Sequence, residues 1–115
     1  MNWFVSKIIF QIISGSGDHR PQFDEQLRLI QAENEAQAFE KALNLGRVEE
    51  QEFINTKHDK VYWKFINVTE VYSLPDLRDG IELHYTIHEV EDGDYFISCL
   101  NQKAAQIEKK LVEAN

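Results

Sequence analysis

Leu27-Arg28-Leu29-Ile30-Gln31-Ala32-Glu33-Asn34-Glu35-Ala36-Gln37-Ala38-Phe39-Glu40-Lys41-Ala42-Leu43-Asn44-Leu45-Gly46 changes its hydrophobic period in the middle, and that change sets the fold class. Up to Ala32 the residues alternate as in a strand, with Leu27, Leu29 and Gln31 on one face and Arg28, Ile30 and Ala32 on the other. From Ala36 onward Phe39, Ala42, Leu43 and Gly46 follow the i, i+3, i+4, i+7 spacing of a helix face. Asn34 stands at the junction with Gln37 three residues on, a weak capping box in which Asn34 accepts a backbone N–H and Gln37 reaches back. The stretch reads as strand, cap and helix.

Toward the N-terminus, residues 2 to 13 place Phe4, Ile8, Phe10 and Ile12 on one face and Trp3, Val5, Ile9 and Ile13 on the other. A strand apolar on both faces belongs between two layers. Ser14 to Pro21 breaks the pattern with two glycines and a proline before Phe23 resumes it, which predicts a hairpin with a long mobile loop. Gly15-x-Gly17 followed by Arg20 is not a phosphate cradle, because such glycines must open a helix and these lead to a proline and a second strand.

Toward the C-terminus, nothing breaks the helix before Glu52 or Phe53, so it is expected to run that far, with Gly46 marking a bend or a close approach to the sheet. Its acidic end, Glu49, Glu50 and Glu52, reads as a solvated face and not as a metal site. Asn55 to Lys60 is a polar turn. Val61 to Leu74 is a long strand whose parity slips, since Val61, Trp63 and Phe65 share one face while Ile66 and Val68 share the other. A bulge near Phe65 and Ile66, or a partner on the second face, is required. Pro75 to Gly80 forms a turn into the most regular alternation of all, with Ile81, Leu83, Tyr85 and Ile87 opposed to Glu82, His84, Thr86 and His88. A fourth strand is expected there. Phe96, Leu100, Ala104, Ile107 and Leu111 then describe a terminal amphipathic helix over 94–113, with Asp94 as its cap, although Tyr95 to Cys99 also suits a short strand.

These elements predict a single α+β domain over 1–115 with an antiparallel four-stranded sheet, β-β-α-β-β-α, its helices mainly on one face. If the crossover is right-handed, the strands flanking the first helix run parallel and the last strand fits between them. The order along the sheet is then first, second, fourth, third, ferredoxin-like in the middle.

Composition narrows the function classes. With 43% hydrophobic and 28% charged residues over 115 positions the chain is an ordinary globular domain. A formal net charge of -8 with no compensating Lys/Arg stripe argues against nucleic acid and against anionic membrane surfaces. The apolar run from Trp3 to Ile13 is interrupted by Lys7 and Gln11 and is too short to span a bilayer. The single cysteine, Cys99, has no intramolecular partner and fits a reducing cytosol. The expected location is cytoplasmic.

The opening Trp3-Phe4 with Ser6-Lys7, the passage Arg28 to Glu33 leading into Glu35 to Ala42, the block Trp63-Lys64-Phe65-Ile66-Asn67-Val68 followed by Val71-Tyr72, and Gly80 to Leu83 together resemble a bacterial family known as a domain of unknown function, number forty-two eighty-eight. The likeness extends from Trp3 to about His88 and leaves the terminal helix outside. It implies a small stand-alone cytoplasmic bacterial protein and brings no activity, cofactor or catalytic residue.

The residues themselves name no enzyme. His84 and His88 are four apart on the expected strand, about 13 Å, too far to chelate one ion. There is no His-x-x-x-His on an expected helix, and no Cys-x-x-Cys or Gly-x-Ser-x-Gly. No catalytic residue, metal or cofactor is therefore assigned. The leading expectation is a non-enzymatic binding or protein-interaction module that is a homodimer, because the first and third strands carry surplus apolar area. The terminal helix folding over that area is the competing arrangement. The alternative function is a small enzyme or small-ligand-binding protein using an open sheet face around Glu82, His84 and Thr86, with Trp63 as a further binding candidate.

Overall fold

The computed structural model describes residues 1–55 and 57–114. They fall into two compact units, Met1–His84 and Tyr85–Asn115. The first contains the sheet: β1 (Asn2–Ser14), β2 (Gln22–Ala32), α1 (Glu35–Val48), β3 (Gln51–Ile54) and β4 (Lys60–Ser73). The class is α+β with a four-stranded antiparallel sheet in the order β2-β1-β4-β3. β2 and β4 run parallel to each other, as expected of the strands around α1. The strand between them is β1, not the last one, so the expected order is corrected. The apolar pattern of β1 explains this, because a strand with both faces covered or half-covered takes the centre of a sheet.

β1 pairs with β2 without a break from Asn2↔Ala32 to Ile12↔Gln22. Its pairing with β4 shifts register twice, between Lys7 and Ile8 and between Ile9 and Phe10. Opposite these shifts Thr69 and Ile66 are the extra residues of β4. The parity slip thus resolves into the bulge expected near Phe65 and Ile66, plus a second one. Each bulge advances the side-chain alternation by one. Val61, Trp63, Phe65, Val68 and Val71 consequently all reach the same face, despite a spacing of two, two, three and three.

That face holds the core. Phe4, Ile8 and Phe10 from β1, Ile30 and Ala32 from β2 and Val68 from β4 are buried under Ala38 and Ala42 of α1. The buried stripe of α1 is Ala38, Ala42 and Gly46, with Leu43 packed beside it, so the expected stripe holds except that Ala38 takes the place of Phe39, which is left 37% exposed. Small residues lie under the helix axis, so its backbone approaches the sheet closely and the larger side chains splay to the flanks. At Gly46 the approach is limiting: an added Cβ would meet the ring of Phe65. Asn34 is the N-cap, its Oδ1 accepting from Gln37 N–H at 2.8 Å, and Gln37 Oε1 reaches back to the N–H of Glu33 at 2.7 Å.

Two expectations fail. α1 stops at Val48 with Glu49 as C-cap, and the acidic segment beyond it is not helical. Gln51–Ile54 pairs with Lys60–Trp63 instead. Glu50 Oε1 accepts the N–H of Phe65 at 2.9 Å, extending the β3 ladder by one side-chain bond where the strand itself ends. Of the polar turn expected over 55–60, Thr56 lies outside the described residues; Asn55 Oδ1 accepts from the N–H groups of Lys57 and Asp59, and His58 takes a positive φ of 64°. The second failure is the fourth strand, since residues 81–88 adopt no regular element. Period-two alternation marks a segment fit for a half-buried strand but supplies no neighbour to pair with, and β3 occupies the place beside β4.

In the second unit α2 spans Gly93–Glu113, so Tyr95 to Cys99 is helical. The cap is Asp92, two residues before the expected Asp94; its Oδ1 accepts from Tyr95 N–H at 3.0 Å. His88 lies tilted against Phe96 with ring centroids 5.6 Å apart.

Candidate functional site

The side of the sheet opposite α1 carries the odd-numbered residues of β1 and β2. Trp3, Phe23, Leu27 and Leu29 are 46%, 56%, 61% and 58% exposed there. Because opposite residues of an antiparallel pair share a face, Tyr72, Glu70, Asn67, Lys64 and Tyr62 of β4 belong to it as well, across from Val5, Lys7, Ile9, Gln11 and Ile13. Lys7 is the charge at its centre, 3.4 Å from Glu70 and 4.0 Å from Glu25. The remainder is largely apolar. At the Trp3 end the face runs into a cleft of about 550 Å³ bordered by Trp3, Leu29, Leu74, Pro75, Asp76 and Leu77.

The α1 side is polar where the helix ends. Asp24, Gln26 and Arg28 follow one another on the inward face of β2, opposite Phe10, Ile8 and Ser6. Arg28 donates to both carboxylate oxygens of Glu49, at 2.6 and 2.9 Å, and to Gln26 Oε1 at 3.1 Å. The bidentate bond, helped by charge attraction and opposed by partial burial, holds Glu49 below the usual carboxylate range and raises Arg28. Gln26 Nε2 and Trp63 Nε1 donate to Asp24 Oδ2 at 2.7 and 3.2 Å. Trp63 also stacks on Phe53, centroids 5.6 Å apart. Tyr62 donates its hydroxyl to Glu50 Oε2, a bond that raises the phenol above its ordinary value. These are structural contacts: each carboxylate oxygen named here accepts a proton donor of the same chain.

The sequence candidates are scattered by this geometry. Trp63 stands on the α1 side, tied to Asp24. His84 stacks on Tyr72 at 4.0 Å and 9°, which places it against the open face. Glu82 is exposed in an irregular segment, and Thr86 belongs to the second unit. The strand that was to align Glu82, His84 and Thr86 is not formed. Of the other histidines, His58 lies in the β3–β4 turn and His88 against Phe96; His19 Nε2 accepts from Ser14 N–H at 3.0 Å, which leaves the proton on Nδ1 to be donated to the Arg20 carbonyl at 2.7 Å. Among the described residues no three His, Cys, Asp or Glu side chains come together around a possible metal position. Nor is any described helix long and apolar enough to cross a membrane. The exposure of Phe23, Leu27 and Leu29 was partly visible in the alternation of β2, but which side α1 would cover was not.

No curated protein and no solved structure matches the chain. One family model does, the Domain of unknown function (DUF4288), over residues 3–85. The match takes in β1 through β4, and thus the open face and the polar cluster beside α1. Covering more than half of the sequence, it establishes that the chain belongs to the DUF4288 family.

Proposed function

We propose that the protein is a non-enzymatic interaction module of the bacterial cytoplasm that acts as a homodimer, with the open sheet face as its contact surface. The observation that carries this reading is the row Phe23, Leu27 and Leu29, three large apolar side chains each more than half exposed on one face of β2. Trp3 beside them extends the row onto β1. An exposed apolar patch of this kind, broken on β2 by Glu25, marks an association surface in a soluble domain. A second copy is the simplest occupant, since one self-complementary surface closes a two-fold assembly. The net charge of -8 favours a protein surface over a phosphate backbone, and the lone cysteine suits a reducing compartment.

Light scattering tests it. The intact protein at micromolar concentration is expected to have the mass of two chains, and Leu29→Lys the mass of one, with an unchanged circular dichroism spectrum. A monomeric intact protein, or a dimer indifferent to Leu29→Lys, would remove the open face as the contact surface.

One observation favours a second reading, in which the face binds a small molecule. Tyr72 and His84 form a flat stacked pair on it. Under that reading a planar ligand displaces or joins the stack. The ring signals of His84 would then shift on addition of the ligand while the mass stays that of the free protein.

A further inference from the structure

The two edges of the sheet are not alike. At one edge β3 is four residues long, bears the Lys60–Glu52 ion pair at 3.2 Å, and leaves β4 with two bulges along its uncovered length. These are the devices by which sheet edges resist further pairing. At the other edge β2 is eleven residues long, pairs with β1 in unbroken register, and contains no Pro, Gly or Lys. Its inward charges, Asp24 and Arg28, are of opposite sign, so they deter an unmatched strand but not one that presents the complementary charges.

We infer that β2 pairs antiparallel with β2 of a second copy about a two-fold axis at Gln26, joining two four-stranded sheets into one of eight. The inference rests on the homodimer reading above and narrows its contact from the open face as a whole to the β2 edge of that face, where Phe23 and Leu29 lie. The register follows from the side chains. With Gln26 opposite its own copy, Phe23 faces Leu29 of the second copy on the open side, and by symmetry this contact occurs twice. On the α1 side Asp24 faces Arg28 of the second copy, again twice. Centring on Leu27 would set Asp24 against Ile30, and centring on Arg28 would set two guanidinium groups against each other, so neither matches charge with charge. Arg28 has capacity for the new bond, because three of its five N–H donors serve Glu49 and Gln26. The pairing also aligns the rows Phe23, Leu27 and Leu29 of the two copies on one side of the joined sheet. Closure is built in, since the β3 edges left at the two ends are the blunted ones.

Cysteine cross-linking in a Cys99→Ser background tests the register. Residues opposite each other on antiparallel strands have Cα atoms about 4.5–5.5 Å apart, inside the range a disulfide spans. Gln26→Cys is therefore expected to oxidise to a covalent dimer, seen on a non-reducing gel. Gln22→Cys, which lies about 27 Å from its copy in this register, is expected to stay monomeric on that gel. Asp24→Lys sets like charges opposite each other and is expected to weaken the dimer at least tenfold in light scattering, with the circular dichroism of the parent. A dimer in which Gln26→Cys does not cross-link, or in which Gln22→Cys does so equally, overturns the β2 pairing and leaves the homodimer standing. A parent protein that is monomeric overturns both.

Discussion

Replacing Gly46 by alanine sets two well-measured tendencies against each other. In an exposed helix interior the change stabilises by about 1 kcal/mol, because alanine gives up less backbone entropy on folding. Here the new methyl would touch Phe65 Cε1 and lie 2.5 Å from Cδ1 and 3.1 Å from Cζ. Carbon atoms in contact settle at about 3.5–4.0 Å, so helix and ring must part by roughly 1 Å. Phe65 has little freedom to retreat, because its ring stands edge-on to Phe10 with centroids 6.0 Å apart and Phe10 is 1% exposed. Overpacking of this kind costs about 1–3 kcal/mol. The net expectation is a loss of about 1 kcal/mol, which lowers the urea midpoint by something under ~1 M at the slopes usual for small domains. Phe65→Leu should cost stability alone yet recover most of the loss when combined with Gly46→Ala, a coupling of about 1 kcal/mol in a double-mutant cycle. A Gly46→Ala protein more stable than its parent, or a strictly additive cycle, would show that α1 does not rest on Phe65.

Glu49→Gln is expected to cost up to about 1 kcal/mol at neutral pH, no more, because both partners are about one-third exposed. Since Arg28 depresses Glu49 below its ordinary value of 4.5, the pair stabilises above that value and its contribution fades as pH falls through the depressed one. Parent and variant melts should therefore converge in acid, and a gap that persists at pH 2 contradicts the assignment. His58 holds a left-handed φ of 64° in the β3–β4 turn, where an L side chain is strained by about 1–2 kcal/mol. His58→Gly removes that strain, offset by the greater entropy of glycine when unfolded, so a gain of about 0.5–1 kcal/mol is expected in denaturant titrations; a loss would mean that the imidazole itself anchors the turn.

Much of the fold was legible in local period and punctuation. Asn34 marked the start of α1 and the parity slip at Phe65 and Ile66 announced a bulge, whereas β1, apolar on both faces, was expected at the end of the strand order and lies inside it. What stayed hidden depended on neighbours. Gln51–Ile54 is too short to show a period, and its four residues are all exposed, so only pairing with Lys60–Trp63 makes it a strand. Residues 81–88 err in the other direction, with strong alternation but no strand to lie beside. The polar cluster was equally unreadable, because Arg28 meets Glu49 across 21 positions and Asp24 meets Trp63 across 39. Alternation in β2 displayed Phe23, Leu27 and Leu29 together, but only the placement of α1 on the other side decided that they face outward.

The central place of β1 has a consequence for how the chain comes to be made. β1 and β2 are synthesised in succession, but the other side of β1 is completed only by Lys60–Ser73. Until then a largely apolar strand carries a bare edge, and contacts between segments so far apart in sequence form slowly. A ribosome paused before residue 73 therefore displays an unfinished sheet, a substrate for chaperones. The same gap makes β4 a candidate for complementation: a chain ending at Ile54 lacks one flank of β1, and a peptide with the sequence of Lys60–Ser73 is expected to restore its strand signal in circular dichroism; no gain on adding the peptide would show that β4 must be covalently joined.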